Sequence, residues 1–202
     1  MTDLTLFASP ASPYVRKVRV LIAEAGLTDR VTEKVVATSA FDTDPELAAA
    51  NPLGRIPALM TPEGLICDSR VICRYLDDLS DGGFYPTVRQ WEVLTLEALA
   101  EGMIDSAVNM AYEVRLRPEE IVYHKWLDAQ WAKISRTLDA LEAGWTGALE
   151  HPLDAGQIAL ACALGYIDFR HGARGWRDSH PKLVAWFEAI GTRPAFAATA
   201  PA

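Results

Sequence analysis

The hydrophobic pattern of this chain changes near residue 80, and that change constrains its fold more than any other feature. Before residue 80, short apolar or β-branched runs alternate with stretches in which apolar residues recur every three or four positions. After residue 80 only the helical spacing remains, and all six tryptophans and all four histidines lie beyond residue 90. We therefore predict one domain over 1–79, a linker over 80–87 that contains Gly82, Gly83 and Pro86, and a second, all-helical domain over 88–202.

The first half of the chain predicts the element order βαβαββα. Helix starts are indicated at Ser12, Asp44 and Ser69, because each is a capping residue followed by a helical pattern. Strands are predicted at residues 4–7, 31–36, 58–61 and 65–67. A βαβ crossover followed by a hairpin and a closing helix makes a compact α/β layer structure.

In the second half, Asp154 and Gln157 have the spacing of a capping box, with Asp in place of Ser or Thr. The helix that follows, over 158–169, is apolar nearly all round, so we expect it to be buried. From Ala195 the chain is rich in alanine and proline, and we expect that tail to be a loose terminus.

Composition excludes several classes of function. The net charge of −8 disfavours nucleic acid and anionic membrane as partners, since both reward basic surfaces. The longest apolar run, 158–167, is too short to span a membrane, and the N-terminus has no signal-peptide pattern. The chain has three cysteines, Cys67, Cys73 and Cys162, and their spacing is not that of metal ligands. We therefore predict that there is no metal site, that the thiols are reduced and that the protein is cytoplasmic.

Ser12 is the first candidate for chemistry. It precedes Pro13 at the start of a predicted helix, where free N–H groups and the helix dipole attract an anion. A thiolate placed there would also gain a hydroxyl donor, which suits an enzyme that activates a thiol belonging to its substrate. The plainer interpretation is an N-cap with proline at the first helical position, a common way to begin a helix.

Two further segments predict a site for a zwitterionic peptide. Pro57 begins a predicted strand and can be cis in a tight turn, which would leave the main chain of Ile56 to pair with an extended ligand. The hydroxyl, the N–H and the helix dipole at Ser69 can hold a ligand carboxylate, and Asp68 can pair with an ammonium. Together with Ser12 these segments make three candidate pieces of one site. Each piece alone is explained as a turn or a cap, but it is much less expected that all three occur together by coincidence.

With these motifs in order, the chain resembles the cytosolic glutathione transferases, and closely their small bacterial members. The family's Ser, Tyr or Cys at the first helix start corresponds to Ser12, and its residue before a cis-proline to Ile56 and Pro57. Its acidic-residue-plus-serine pair corresponds to Asp68 and Ser69, and the capping box of its buried sixth helix to 154–157. The resemblance implies a thioredoxin-like first domain, an all-helical second domain, a homodimer, a detoxification role and glutathione as cosubstrate.

Departures from subfamily patterns narrow the chemistry that the resemblance implies. Thiol transferases carry Cys where this chain has Ser12, so a mixed disulfide with the enzyme is disfavoured. Zeta-type isomerases have a Cys where this chain has Tyr14, which disfavours isomerisation and leaves Tyr14 as a competing hydroxyl donor. The predicted activity is glutathione transfer to a small hydrophobic electrophile that lies along 103–112, with Met110 and Tyr112 as an adaptable wall. For any one of these side chains, packing in the core is the plainer interpretation. A glutathione-dependent peroxidase or disulfide reductase and a non-catalytic glutathione-binding protein stay open as alternatives.

Overall fold

The computed structural model describes residues 4–201 and divides the chain into two units. One unit comprises the chain up to Tyr85 together with the segment from Pro194 on, and the other is Pro86–Arg193. The first unit contains a four-stranded sheet with helices, and the second contains helices and short 3₁₀ turns. This confirms the fold class predicted from the sequence, an α/β thioredoxin-like domain followed by an all-α domain.

The sheet of the first unit has the strand order β2-β1-β3-β4. Its strands are β1 (Leu4–Ala8), β2 (Val31–Val35), β3 (Ala58–Thr61) and β4 (Gly64–Cys67). Strand β2 pairs parallel with β1, whereas β3 pairs antiparallel with both β1 and β4. The helices are α1 (Pro13–Glu24), α2 (Pro45–Ala50) and α3 (Ser69–Ser80), so the observed order is the predicted βαβαββα.

Helices α1 and α3 pack against each other through their apolar faces. Each helix buries the apolar residues that its helical spacing predicts. These fully buried residues are Val15, Val18 and Leu21 of α1 and Ile72 and Leu76 of α3. A second apolar cluster joins Phe7 of β1, Val36, Leu47 of α2 and Ala58 of β3. The sheet is therefore held by apolar contacts that also fix the ends of α1 and α3, where the candidate residues lie.

Four helices form the second unit, and α6 runs through its core. They are α4 (Gln90–Leu116), α5 (His124–Gly144), α6 (Ala155–His171) and α7 (Pro181–Gly191). Residues 155–167 of α6 are all buried, which confirms the prediction of a buried helix. Helix α6 approaches α4 so closely that a Cβ on Gly156 would lie 2.8 Å from the carbonyl oxygen of Val93.

Only half of the predicted capping box forms at the start of α6. The Asp154 carboxylate accepts a hydrogen bond from the Gln157 N–H at 3.0 Å, as expected. The Gln157 side chain does not reach back to the cap. Its Nε2 donates instead to the carbonyl oxygens of Ala148 and His151, at 3.2 and 3.1 Å. The other Asp154 oxygen pairs with Arg89 at 3.1 Å, so this cap is held through tertiary contacts.

The expectation of a loose C-terminal tail is wrong, and contacts group this segment with the first unit. Residues Pro194–Ala198 form a short helix, α8, which packs on α1 as part of the first unit. Phe196 is buried, and its carbonyl oxygen accepts a hydrogen bond from Arg16 Nη2 at 3.2 Å. Burial of a phenylalanine side chain, worth about 1.5–3 kcal/mol, explains why this alanine-rich segment is ordered.

Candidate functional site

Ser12 is the N-cap of α1, and its hydroxyl keeps a free donor in that role. Its Oγ accepts a hydrogen bond from the Val15 N–H at 3.3 Å, and its own N–H donates to the Ser9 carbonyl at 3.1 Å. The cap therefore uses a lone pair of the oxygen and not its proton. Because the side chain is half-buried, the O–H can be directed at a ligand near the helix N-terminus.

The peptide bond between Ile56 and Pro57 is cis, which confirms the conformation expected from the sequence. The ladder between β3 and β1 begins at the pair of Ala58 with Phe7, so Ile56 precedes it. Ile56 is half-buried and Pro57 is buried.

Asn51 holds the loop in front of this proline, a role that the sequence reasoning missed. It is buried, its Nδ2 donates to the Arg55 carbonyl at 2.8 Å, and its Oδ1 accepts from the Leu53 N–H at 3.1 Å. Gly54 in the same loop has φ of +59°, and a Cβ there would lie 2.6 Å from Thr43 Cγ2. An Asn-Pro pair followed closely by glycine was the available signal, because both are typical of a constrained turn.

Asp68 has a backbone conformation that few residues adopt. Its φ and ψ are 71° and 130°, while its side chain caps α3 by accepting from the Arg70 N–H at 2.9 Å. A non-glycine residue in so sparsely populated a region costs about 1–3 kcal/mol, and such residues cluster at functional sites. The next residue, Ser69, begins α3 and is buried.

Arg70 occupies both oxygens of the Asp68 carboxylate, which the sequence reasoning did not foresee. Arg70 Nε lies 3.1 Å from one oxygen and Nη2 lies 3.2 Å from the other. The hydrogen bond from Arg70 holds the pKa of Asp68 below its ordinary value, with burial opposing it and Lys17 adding to the lowering. The group is therefore an anion at neutral pH. A carboxylate has about four lone-pair sites, so a ligand ammonium can join Arg70 there.

The sheet register brings the three candidate segments to one edge of the first unit. Phe7 pairs with Ala58, and Ala58 pairs with Cys67. These three residues form one row across β1, β3 and β4. Ser12 follows β1 beyond this row, Ile56 and Pro57 precede β3, and Asp68 and Ser69 follow β4. A hydroxyl, a turn before a strand and a helix N-terminus with a carboxylate thus share one edge.

The segment predicted to receive an electrophile, 103–112, lies in α4. Met103 and Met110 are buried in the core of the helical unit, whereas Tyr112 is 45 % exposed. Met110 also lines a cavity of about 310 Å³ together with Leu127, Arg170 and His171. Tyr112 is therefore the residue of the predicted wall that is most available to a ligand. Across residues 4–201, none of the helices is both long enough and apolar enough to cross a bilayer.

Sequence comparison identifies relatives of this chain over nearly its whole length. Residues 6–83 match the glutathione S-transferase N-terminal domain, and residues 125–189 match the C-terminal domain of the same family. The uncharacterised GST-like protein YibF of Escherichia coli K12 is 34% identical over 98% of both chains. Glutathione S-transferase 3 of Zea mays is 28% identical over 98% of this chain and 94% of its own.

Solved structures give the same assignment. A glutathione transferase family member from Pseudomonas fluorescens Pf-5 with bound glutathione is 46% identical, covers 98% of this chain and 99% of its own, and superimposes with a TM-score of 0.96. A glutathione S-transferase from Methylobacillus flagellatus with glutathione bound is 34% identical, with a TM-score of 0.86 over 98% of this chain and 100% of its own. The chain described here belongs to the glutathione S-transferase family.

Proposed function

We propose that this protein is a glutathione transferase that binds glutathione in its first unit and activates the thiol for attack on a small hydrophobic electrophile. The observation that carries this proposal is the shared edge occupied by Ser12, the cis bond before Pro57, and Asp68 with Ser69. Similar proteins with glutathione bound support it. In this proposal the units divided near residues 80–87 are a glutathione-binding domain and a helical domain.

Each candidate residue has one role in the proposed mechanism. The main chain of Ile56 pairs with the extended tripeptide, Ser69 at the start of α3 binds a carboxylate, and Asp68 binds the ammonium. Ser12 donates its hydroxyl proton to the sulfur as a hydrogen bond, which favours the thiolate. A free cysteine thiol has a pKa near 8.5, and helix N-termini lower such values to about 3.5–7.5.

The reaction is then a nucleophilic attack by that thiolate. The thiol proton passes to water when the thiolate forms. In a substitution, the sulfur–carbon bond forms as the leaving group departs with its electron pair. In an addition to a double bond, the atom next to the attacked carbon takes up a proton from water. A structure of the Pseudomonas fluorescens protein, 44% identical to this chain, holds S-(propanoic acid)-glutathione, a thioether of glutathione. That ligand supports conjugation over a purely redox role.

The test is a turnover screen with and without glutathione. We expect conjugation of an activated aryl chloride, together with a new thiolate absorbance when glutathione is added to the protein at neutral pH. Turnover of a hydroperoxide or a mixed disulfide without any conjugation would replace the proposal with the peroxidase or reductase. Tight glutathione binding with neither activity would replace it with a non-catalytic binding protein.

A further inference from the structure

Arg16 is a buried cation whose hydrogen-bonding capacity is mostly unused. It lies in α1, one helical turn after Ser12, and is only 6% exposed. Its Nη2 donates to the Phe196 carbonyl, but within residues 4–201 its Nε and Nη1 have no hydrogen-bond acceptor. Arginine stays protonated in proteins, so its charge cannot be removed by burial. A buried guanidinium in this state is unfavourable for folding alone and calls for an explanation.

Within residues 4–201, Arg16 forms no ion pair with a carboxylate of the elements around it. Helix α8, which holds the guanidinium through a carbonyl, contains no charged residue. At the N-cap of α3, Asp68 is paired with Arg70. On α3 itself, Asp77 accepts from the Phe84 and Tyr85 N–H groups, and Asp78 is exposed. On β2, Glu33 is paired with Arg19 of α1.

Lys17, the next residue of α1, adds a second buried cation to the same turn. It is 1% exposed, and its charge contributes to lowering the pKa of Asp68. Lys17 therefore lies close enough to Asp68 for its charge to act on that carboxylate.

Arg16 lies one helical turn after Ser12, on the same side of α1. Residues four apart lie on the same face, and side chains tilt toward the helix N-terminus. The Cα atoms of Ser12 and Arg16 are separated by about 6 Å along the axis, from the rise of 1.5 Å per residue. As a general scale, a unit charge about 10 Å from a thiol, at an effective dielectric constant near 20, changes the pKa of that thiol by about one unit.

We infer that Arg16 is an electrostatic positioning residue, whose buried charge stabilises the thiolate of glutathione held at Ser12. This inference rests on the proposed function and adds a residue to it. The hydroxyl of Ser12 supplies a direct hydrogen bond, while Arg16 supplies a charge from behind the helix end without touching the ligand. Burial strengthens this effect, because solvent and salt screen a buried charge less than an exposed one.

The experiment measures the pKa of glutathione bound to the protein, from the thiolate absorbance as a function of pH. Arg16→Met keeps the length of the aliphatic stem and removes the charge, and Arg16→Lys keeps a charge. We expect the bound thiol's pKa to rise by about one unit in Arg16→Met and to change little in Arg16→Lys. Arg19→Gln is the control, because Arg19 lies on the same helix and is paired with Glu33.

Conjugation rates provide a second readout. Arg16→Met should lose roughly tenfold in rate at a pH below the thiol's pKa and recover at alkaline pH, because only the thiolate fraction has changed. A merely structural role would lower stability and leave the bound thiol's pKa as in the unaltered protein. That result in folded Arg16→Met would overturn the inference.

Two outcomes remain decisive if Arg16→Met does not fold. A folded Arg16→Lys variant with a thiol pKa raised by a full unit would contradict the inference, since its charge is retained, and an unchanged value would support it. Failure of the proposed function looks different, because the unaltered protein would then form no thiolate with glutathione at neutral pH.

Discussion

At the scale of single residues, Ser12 joins a structural role to a proposed chemical one. Its oxygen accepts the Val15 N–H at 3.3 Å, a long hydrogen bond that makes a weak cap. The proposed role needs the other part of the same group, the O–H donor. Because the two roles use different parts of one hydroxyl, substitutions can separate them.

Ser12→Ala should slow conjugation by roughly one to two orders of magnitude, because a hydrogen bond to a charged group is worth about 1.5–3 kcal/mol. The pKa of the bound thiol should rise with it, which an absorbance titration measures. Ser12→Gly is the matched variant, since glycine is a tolerable N-cap without a hydroxyl. Full activity in Ser12→Gly would reduce Ser12 to a cap and make Tyr14 the next candidate.

Asp68→Asn should weaken glutathione binding more than it slows the bound chemistry. The proposed partner of this carboxylate is the ligand's ammonium, so its contribution is similar in the ground and transition states. We expect a raised KM for glutathione with little change in kcat, measured by steady-state kinetics. Asp78→Asn, an exposed position on the same helix, is the control. A fall in kcat with KM unchanged would contradict the assignment of Asp68.

At the scale of elements, local signals predicted the helices and strands, while contacts between distant segments did not follow from them. The βαβαββα order was predictable because proline, glycine and capping residues separate short runs of clear period. The same local signals did not predict the roles of Arg70, Asn51 and α8. Arg70 is important because it pairs with Asp68. Asn51 is important because its side chain donates a hydrogen bond within the loop before Pro57. Helix α8 is ordered because Phe196 is buried. Each depends on tertiary packing, which a sequence pattern does not specify.

The candidate site shows the same division. Sequence motifs predicted the candidate residues, which are Ser12, Ile56, Pro57, Asp68 and Ser69. The register of the sheet brings the segments that contain them to one edge. The unusual φ of Asp68 was not predictable, because it is a property of the folded backbone. The Arg16 donors that lack an acceptor among residues 4–201 were not predictable either, because they depend on packing.

Gly156→Ala should destabilise the protein although alanine is the better helix former. A Cβ on residue 156 would lie 2.8 Å from the Val93 carbonyl oxygen and 2.9 Å from Leu96 Cβ, so α4 and α6 would have to separate. Overpacking of this kind costs about 1–3 kcal/mol, which we expect as a lower free energy of unfolding in urea.

In the matched control, the same substitution of glycine by alanine should change the free energy of unfolding in the opposite direction. A Cβ on Gly102, an exposed residue of α4, meets no atom within 4 Å. Gly102→Ala should therefore raise the free energy of unfolding by about 1 kcal/mol. Equal effects of the two substitutions would show that the close approach of α6 to α4 is not rigid.

At the scale of the whole molecule, we predict a homodimer. The family resemblance implies it, and two-fold dimers are the commonest oligomers of soluble proteins. Light scattering after size-exclusion chromatography should give twice the mass of the single chain at micromolar concentration. The mass of one chain under those conditions would show that the prediction is wrong.

The stability of the folded molecule should decrease as the pH falls below about 6.5, with His171 as one cause. Its Nε2 lies 2.8 Å from the Ala107 carbonyl oxygen, which can only accept, so this nitrogen carries a proton. Burial lowers the pKa of His171, and Arg174 and Arg170 lower it further, against the hydrogen bond to Ala107. The unfolded chain, with an ordinary histidine pKa near 6.5, then binds more protons than the folded one.

The contribution of His171 to the free energy of unfolding is therefore fully present above pH 6.5. That contribution is lost as the pH falls toward the lowered pKa of His171 in the folded state. His171→Gln keeps a donor for the Ala107 carbonyl but cannot titrate, so its free energy of unfolding should fall less between pH 7 and pH 5.5. Urea titrations followed by tryptophan fluorescence measure this difference, because all six tryptophans lie beyond residue 90 and report on the helical unit. His124→Gln, at an exposed position, should keep the slope of the unaltered protein. Identical slopes for His171→Gln and the unaltered protein would remove His171 as a cause of the acid sensitivity.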